Sequence, residues 1–431
     1  MTTATLPGPT APRALQGARA LLSDRRGMNR LRARYGPVFA VDLPIFGRAV
    51  VLSDAAAVKQ LFTTSPDLAD NLDVNLGRVL GPGSFFALTG QEHRKQRKLL
   101  VPPFHGRRLV AYERIIEEEA LAEFARWPQG RSFATLPSTM RITLNIILRA
   151  VFGAEGAEFD RLRTLLPRLV TLGSRLAAAP APKIGPWDPW GRFRAMRAEY
   201  DAVVDRMISD AEARGGLDER DDVLALMLQS RYDDGSRMSR AEIADQLLTL
   251  LSAGHETTAT TLAWTVERLR RHPDALAALV SEVDSGGSEV RTAALTEVQR
   301  TRPAVDLTGR QVRAERLQLG DWTFRRGDRL LVSIELLHND PELFPEPERF
   351  DPARFLAGKP DLHRWIPFGG GVRRCIGAAF ATTEMDVVLR SMLREFELVP
   401  TTAAGERWRS RGVAAAPSKG GRAVVRRRSG S

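Results

Sequence analysis

The chain has 431 residues, of which 43% are hydrophobic and 27% charged, which indicates a globular protein large enough to enclose a bound group. Its formal net charge is +11, but no aromatic-interleaved basic groove or finger motif accompanies the cations, so we expect no nucleic-acid partner. No apolar run approaches the ~20 residues that span a bilayer, and the N-terminus has no signal pattern. We therefore expect a cytoplasmic protein without a membrane span.

The first elements in chain order are an arm, a hairpin and a basic helix. Residues 1–12 are rich in threonine and proline and predict a mobile arm. Residues 37–53 predict a β-hairpin that turns between Pro44 and Gly47. His93 and Arg97 follow in a basic helical segment, and their spacing of four places them on one side of the helix.

A mainly α-helical domain with a small β portion is predicted over residues 13–415. The chain is dominantly helical between about 107 and 300, and the break at 179–190 is too short for a domain linker, so it predicts a loop between two helices. A second hairpin pattern covers about 311–335. Residues 416–431 carry several of the excess cations and predict a disordered basic tail.

One long helix is predicted from the capping box at Ser239 to His272, with Pro273 as its stop. About 33 residues at 1.5 Å each give a rod of roughly 50 Å, enough to cross a domain. Its middle, residues 253–258, reads Ala-Gly-His-Glu-Thr-Thr, which is poor helix chemistry because glycine alone costs on the order of 1 kcal/mol. Unfavourable residues at the centre of a long helix indicate a function.

Cys375 is the only cysteine of the chain, so it forms neither an intramolecular disulfide nor a multi-thiolate metal site. It is either an inert buried residue or a single reactive ligand. Arg373 and Arg374 favour the thiolate, and a helical pattern begins after Gly377, whose N-terminal dipole favours the anion further. An anionic sulfur at a helix N-terminus is suited to be the axial ligand of a haem.

Phe368, Gly371, Arg373, Cys375 and Gly377 complete the spacing Phe-x-x-Gly-x-Arg-x-Cys-x-Gly. This segment resembles the haem-binding loop of the cytochrome P450 family of haem-thiolate monooxygenases. The resemblance implies a P450-like fold with heme b (iron protoporphyrin IX) between the long central helix and the helix after the cysteine. It also implies that Cys375 ligates iron, Arg373 holds a haem propionate and Phe368 shields the sulfur.

The middle of the long helix resembles the oxygen-activation motif of the same family. By that resemblance Gly254 leaves room for dioxygen, Thr257 donates a hydrogen bond to it, and Glu256 starts a proton relay, since cleavage of the O–O bond requires two protons. A capped turn for the threonine and a surface salt bridge for the glutamate are the alternatives. His255 occupies the variable position, so we expect it to pack or to face substrate.

A Glu-x-x-Arg pair, Glu297 and Arg300, lies on one face of a helix that is predicted to end before Pro303. The resemblance implies that this pair forms a buried structural triad with a later arginine. Arg354 in Pro-Ala-Arg-Phe is the first candidate, and Arg349 in Pro-Glu-Arg-Phe is the second.

Further cations complete the expected site. The resemblance implies that His93, Arg97 and Arg310 bind haem propionates. The remaining cations near the cysteine could form a basic face for an acidic electron donor, or an ordinary solvated charge run: Arg94, Lys95, Lys98 and Arg374.

The resemblance implies an external monooxygenase that takes O2, a small apolar organic substrate and electrons from a ferredoxin-type partner, because the chain has no flavin or dinucleotide fingerprint. The alternatives are a peroxide-using or non-oxygenating haem-thiolate enzyme, and a non-catalytic haem-binding protein. The candidate pocket wall is apolar: Phe85, Phe86, Leu88, Leu251, Ala253, Val305 and Leu307.

Overall fold

Helices form most of the protein, as seen in a computed structural model that describes residues 6–11, 16, 26–43, 46–72, 76–106, 108–153, 156–177 and 188–428. The expected turn at Pro44 lies outside the described residues, as does most of the loop expected at 179–190. The described helices are α1 (Arg26–Tyr35), α2 (Ala55–Thr63), α3 (Leu76–Leu80), α4 (Gly90–Leu100), α5 (Arg108–Phe124), α6 (Leu136–Phe152), α7 (Ala157–Ala177), α8 (Pro189–Arg214), α9 (Val223–Gln229), α10 (Arg240–Leu269), α11 (Pro273–Ser285), α12 (Glu289–Thr301), α13 (Ile334–His338) and α14 (Ala378–Glu395).

The predicted central helix is confirmed as α10, which has 30 residues and is therefore about 45 Å long. It begins at the predicted capping box, in which Ser239 and Glu242 satisfy each other's backbone N–H groups. Three residues separate the end of α10 from α11, which has a proline at its first position. The predicted end of the Glu-x-x-Arg helix before Pro303 is also confirmed, because α12 ends at Thr301.

The β portion consists of short strands: β1 (Val38–Leu43), β2 (Gly47–Leu52), β3 (Ala69–Asp70), β4 (Phe133–Ala134), β5 (Leu307–Val312), β6 (Arg316–Leu319), β7 (Trp322–Arg325), β8 (Arg329–Ser333), β9 (Phe396–Leu398), β10 (Trp408–Ser410), β11 (Ala415–Pro417), β12 (Arg422–Ala423) and β13 (Val425–Arg427). One five-stranded sheet has the order β1-β2-β8-β5-β3, with β2 and β8 parallel and its other neighbours antiparallel. Both predicted hairpins are confirmed, since β1 pairs with β2 and β6 pairs with β7 through Gly320.

The main core is the packing of α5, α6, α10 and α14, with α10 lying along α6 and also against α14. Trp264 and Leu251 of α10 are fully buried, which places this helix through the interior. The sheet packs its own apolar layer against α2. No helix within the described ranges is long and apolar enough to cross a membrane.

Both chain ends are more ordered than the sequence predicts. Leu6 packs against the sheet, and the Pro7 carbonyl oxygen accepts from the Ala40 N–H at 2.8 Å, so the prediction of a mobile arm is wrong for residues 6–11. The rest of that arm, residues 1–5 and 12, lies outside the described residues.

The prediction of a disordered tail is wrong for residues 416–428. Here β12 pairs with β4 and β13 pairs with β9, and the side chains of Ala423 and Val425 are fully buried. Arg422, Arg426 and Arg427 of the same segment are exposed, and Arg428 pairs with Asp284 at 2.8 Å. The charged residues therefore lie on the outside of paired strands whose small apolar residues are buried. The last residues, 429–431, lie outside the described part.

Candidate active site

The cysteine loop is held in a tight turn just before α14. The Cys375 N–H donates to the Phe368 carbonyl oxygen at 2.9 Å, and the Arg374 N–H donates to the Gly371 carbonyl oxygen at 3.0 Å. Gly371 has φ +63°, and a Cβ added there would lie 2.1 Å from the Phe62 carbonyl oxygen of α2. Glycine is therefore required by both conformation and space. Phe368 is half-buried and packs against Trp365 with 6.0 Å between ring centroids.

The arginines do not make Cys375 a thiolate by themselves. Solvent reaches the thiol, yet protein surrounds it on most sides, and this burial raises its pKa above the ordinary value. The Gly377 N–H, Arg374 and Arg97 act in the opposite direction and do not outweigh it. Arg374 thus acts in the direction predicted from the sequence, but burial outweighs it, so coordination to a metal would have to remove the proton.

Arg373 is committed mainly to other protein groups. Its Nε and Nη2 donate to one oxygen of Asp70, Oδ1, at 2.9 and 2.6 Å. Nη2 also donates to the Leu88 carbonyl oxygen at 2.7 Å, and Nη1 donates to that of Phe85 at 3.3 Å. A guanidinium has five N–H bonds, so one N–H on Nη1 is left for a further acceptor.

His93, Arg97 and Arg310 lie close to Arg373, as their electrostatic effects on one another show. Burial, followed by the charge of Arg373, lowers the pKa of His93 to about 3 despite the opposing effect of Asp70, so the imidazole is neutral. Burial also lowers the pKa of Arg310 to about 10. The guanidiniums of Arg310 and Arg373 therefore face the carboxylate of Asp70, and Arg97 lies near Arg373.

These residues fit a haem with two propionates on three observations. The Nε2 atom of His93 is buried without a hydrogen-bond partner among the described residues. The cluster has more positive than negative charge, so it suits two added carboxylates. Gly377 has an ordinary φ of −87°, and a Cβ built on it meets no protein atom within 4 Å, so nothing in the described protein explains a glycine there. A flat group lying against this backbone would explain it.

On α10, Glu256 is paired with an arginine from a distant part of the chain. The Arg411 Nε donates to Oε1 of Glu256 at 3.0 Å, and Arg411 lies between β10 and β11. Burial raises the pKa of Glu256, and the contact with Arg411 opposes this rise. The protonation of the Glu256 carboxyl therefore depends on Arg411, and a substitution of that arginine would change its pKa.

Thr257 lies on the accessible side of α10, one turn after Ala253, which is exposed. The hydroxyl of Thr257 donates to the Ala253 carbonyl oxygen at 2.8 Å. His255 is buried and its Nδ1 lies 2.8 Å from the Leu251 carbonyl oxygen, so of the two expectations for it, packing is confirmed.

Gly254 has a packing role that the sequence did not indicate. A Cβ at this position would lie 3.3 Å from two side-chain carbons of Ile147 on α6. The missing side chain therefore allows α10 and α6 to approach each other. That it also leaves room for dioxygen stays a prediction.

The Glu-x-x-Arg pair forms a closed buried cluster. Arg300 donates from Nε and Nη2 to the two oxygens of Glu297, each at 2.7 Å, and both side chains are fully buried. Arg354 places its Nε 3.8 Å from Oε1 of Glu297. Arg349 contributes only its carbonyl oxygen to Arg300, and its guanidinium pairs with Glu346. Of the two candidates, Arg354 completes the side-chain triad.

Four residues of this region were not assigned a role from the sequence. His338 links the Arg300 carbonyl oxygen to the Ile366 N–H, at 3.2 and 2.9 Å, and its His-Asn-Asp-Pro segment was a usable signal. Asp70 and Arg411 lie in segments with no motif. Glu384 of α14 is buried beside Thr258, and burial raises its pKa well above the ordinary value. These three act through contacts that no local pattern shows.

The expected pocket wall is only partly accessible. Leu251 is fully buried in the core, so the prediction for it is wrong, and Phe85 is buried against His93 with 4.3 Å between ring centroids. The others are half-buried or exposed: Phe86, Leu88, Ala253, Val305 and Leu307.

The expected basic face carries more carboxylates than the sequence suggests. Its three cations on α4 each have an acidic neighbour: Arg94 with Asp67 at 3.9 Å, Lys95 with Glu92 at 3.1 Å and Lys98 with Asp233 at 2.6 Å. Arg374 is half-buried. The excess positive charge of this face is therefore small.

Comparison with known proteins identifies the family. The family model described as "Cytochrome P450" matches residues 23–420. A protein of Mycobacterium tuberculosis named "Putative cytochrome P450 138" is 55% identical over 424 residues, 98% of this chain and 96% of that protein. A second one, "Putative cytochrome P450 135B1", is 39% identical and covers 97% and 91%.

Solved structures agree with the fold. The cytochrome P450DA heme domain has a TM-score of 0.87 at 24% identity, covering 100% of this chain and 98% of that one. The retinoic acid-bound cyanobacterial CYP120A1 has a TM-score of 0.85 at 24% identity, covering 98% and 100%. The chain therefore belongs to the cytochrome P450 family of haem-thiolate monooxygenases.

Proposed function

We propose that this enzyme inserts one oxygen atom from O2 into a small apolar organic substrate, with Cys375 as the axial ligand of a heme b. The bound haem supplies the iron at which dioxygen is reduced. Electrons come from an external ferredoxin-type partner. The need to keep a single thiol reduced fits the cytoplasm. The apolar surface of Phe86, Ala253 and Leu307 suits an apolar substrate.

The placement of Thr257 beside the exposed Ala253 carries this proposal. The hydroxyl rotates freely about its C–O bond, so it can exchange its bond to the Ala253 carbonyl oxygen for one to a ligand. Glu256 precedes it on the helix and, because burial raises its pKa, can carry a proton as well as accept one. Together they can hold and deliver protons on the accessible side of α10.

Cys375, Arg97, Arg310 and the remaining N–H of Arg373 would hold the cofactor from the other elements. The neutral His93 can donate from Nε2 to a propionate. Phe368 lies on the turn that carries the sulfur and limits water there. These residues bind and orient, whereas Glu256 and Thr257 handle protons.

Thr257→Ala tests the function. Without the hydroxyl, delivered electrons should be lost to peroxide or water, so product formed per electron pair should fall at least about tenfold while haem binding is retained. The measurement is product against reduced cofactor consumed, with peroxide counted. Thr265→Ala is the matched control, because that hydroxyl makes the same bond to a carbonyl oxygen four residues earlier but is fully buried.

The alternatives give other outcomes. A peroxide-using enzyme would turn over with peroxide equally well in the Thr257 variant and the native protein. A non-catalytic haem protein would form no product in either. The reduced carbon monoxide complex should show the long-wavelength Soret band of thiolate ligation, and Cys375→Ser should lose it.

A further inference from the structure

We propose that Asp70 is a positioning residue for the haem propionates: it fixes Arg373 and the start of α4 relative to each other and offsets the positive charge of the cluster. The inference rests on the haem site of the proposed function. Asp70 itself need not touch the cofactor. Its side chain is almost fully buried, at 3% exposure.

The first observation is the contact with Arg373. Two of the five guanidinium N–H bonds go to Oδ1 of Asp70, at 2.9 and 2.6 Å. Two more go to the carbonyl oxygens of Phe85 and Leu88. The direction of the last N–H is therefore set by protein contacts, and Asp70 makes the shortest of them. A guanidinium fixed in this way meets a propionate without first losing side-chain freedom.

The second observation concerns α4, which carries His93 and Arg97. Thr89, the N-cap residue of α4, makes no capping bond with its side chain. Instead Oδ2 of Asp70 accepts from the Gly90 N–H at 2.6 Å. An acidic group at a helix N-terminus is stabilising, and here the acid comes from a different element. The carboxylate of Asp70 thus connects α4, which carries the two expected propionate ligands His93 and Arg97, to Arg373, which is a third.

The third observation is the position of Asp70 at the end of β3. Its pairing partner on β5 is Gln311, which follows Arg310 directly. The Asn71 N–H also donates to Oδ1 of Asp70, at 2.7 Å. Strand β5, helix α4 and the cysteine loop are therefore tied together at one side chain, and these three elements supply all four expected propionate ligands.

Charge supports the same role. Asp70 is the carboxylate that acts on His93, Arg310 and Arg373, all of which lie in a largely buried region. Burial by itself would raise the pKa of Asp70, but the Gly90 N–H and Arg373 together lower it, so the group stays ionised. A buried arginine without a counter-charge is strongly destabilising. Asp70 therefore stabilises the buried arginines in the apoprotein, before the two haem propionates bind.

Two variants test the inference. Asp70→Ala removes both acceptor oxygens, so haem should transfer to an excess of a haem-scavenging apoprotein about tenfold faster than from the native holoprotein. Asp70→Asn keeps one acceptor oxygen and loses the charge, so its transfer should be less accelerated and its haem reduction potential should shift to a more positive value. Asp67→Asn removes a charge three residues earlier from an exposed carboxylate and should change neither rate nor potential.

Circular dichroism and urea unfolding of the apoprotein guard against a variant that does not fold. A folded Asp70→Ala variant that releases haem at the native rate would overturn the inference. So would an Asp70→Asn variant with native release and native potential, or one that lowers apoprotein stability alone. If the native protein binds no haem with a thiolate spectrum, the proposed function fails first, and that result is distinguishable from all of these.

Discussion

Two glutamate–arginine sites in this protein consist of the same residue types but have different proposed roles, one structural and one in proton transfer. Glu297 has both oxygens bonded to Arg300, accepts from the Asp351 N–H at 2.9 Å and is fully buried. Glu256 has a hydrogen bond from Arg411, a residue whose side chain is 37% exposed. A closed cluster keeps its backbone fixed, whereas an open pair leaves a carboxyl that can change its partner or its proton.

The difference does not come from burial of the acid. Burial is the largest influence on both carboxyls, and it raises the pKa of Glu297 as well as that of Glu256. What differs is the origin of the cation. Arg300 is three residues from its partner on the same helix, while Arg411 is 155 residues from Glu256 and comes from the β10–β11 connection. A partner on a separate, partly exposed element can move without unfolding the helix.

The largest expected effect comes from opening the closed cluster. Arg300→Met leaves Glu297 buried without its main partner, which should cost about 3–5 kcal/mol in the free energy of unfolding. Urea unfolding measures it. Arg349→Met is the control, since that guanidinium is exposed and should change stability by no more than about 0.5 kcal/mol. Equal losses in the two variants would show that the closed cluster is not what stabilises this region.

Arg354→Met separates the two arginines that the sequence left open. The Arg354 Nε lies 3.8 Å from a carboxylate that Arg300 already bonds. The decrease in the free energy of unfolding, measured with urea, should therefore lie between those of Arg300→Met and Arg349→Met. This question shows where sequence reasoning ends. Pro-Ala-Arg-Phe and Pro-Glu-Arg-Phe are alike as patterns, and only the folded loop places Arg349 outside and Arg354 inside.

The parts of the site that the sequence predicts are those set by local spacing. The capping box at Ser239, the Glu297–Arg300 pair and the turn at Cys375 each depend on residues within a few positions of one another. The contacts of Asp70 with Arg373 and of Glu256 with Arg411 join residues 303 and 155 positions apart. No periodicity encodes such contacts.

One error and one missed contact follow from interpreting side chains without their neighbours. Gly254 was assigned to the oxygen side from its motif, and the close approach of α10 to Ile147 that it also permits could not be predicted from that motif. The tail from 416 onward looked disordered because its arginines dominate the composition, whereas the buried Ala423 and Val425 between them decide the structure. In both cases the packing partner, far away in sequence, determines the outcome.

A smaller effect on stability is expected at the open pair. Arg411→Gln should change the free energy of unfolding by no more than about 1 kcal/mol, because the arginine is partly exposed. Its contact opposes the upward shift that burial gives the pKa of Glu256, so removing it should raise that pKa further. Glu256 would then stay protonated to a higher pH. If product formed per electron pair rises with pH as the carboxylate forms, the midpoint of that rise should move to a higher pH.

Arg409→Gln on the same hairpin is the control, because Arg409 is exposed on β10. A pH profile that moves equally in both variants would indicate a general charge effect, and one that moves in neither would show that Arg411 does not control the protonation of Glu256. Glu256→Gln should abolish the pH-dependent step altogether. The effect of Glu256 on the pH dependence of stability is opposite to that of a carboxylate whose pKa is lowered by a salt bridge. Because the pKa of Glu256 is raised in the folded state, the group stabilises the fold at low pH, and this contribution is lost as pH rises through the folded pKa.

The smallest effect is expected on the basic face, where pairs are exposed on both sides. Lys98 and Asp233 are 68% and 78% exposed and lie 2.6 Å apart, so neither holds the fold. Against an acidic electron donor, Lys98→Ala should slow second-order reduction about twofold at low salt, and Asp233→Asn should speed it by a similar factor because it uncovers the lysine. Stopped-flow reduction at several ionic strengths measures both. If the two variants change the rate in opposite directions at low salt and approach the native rate at high salt, the donor binds on α4. Salt screens the interaction of exposed charges such as these, whereas a buried pair such as Glu297–Arg300 is nearly unaffected. Equal rates in both variants at low salt would place the donor elsewhere.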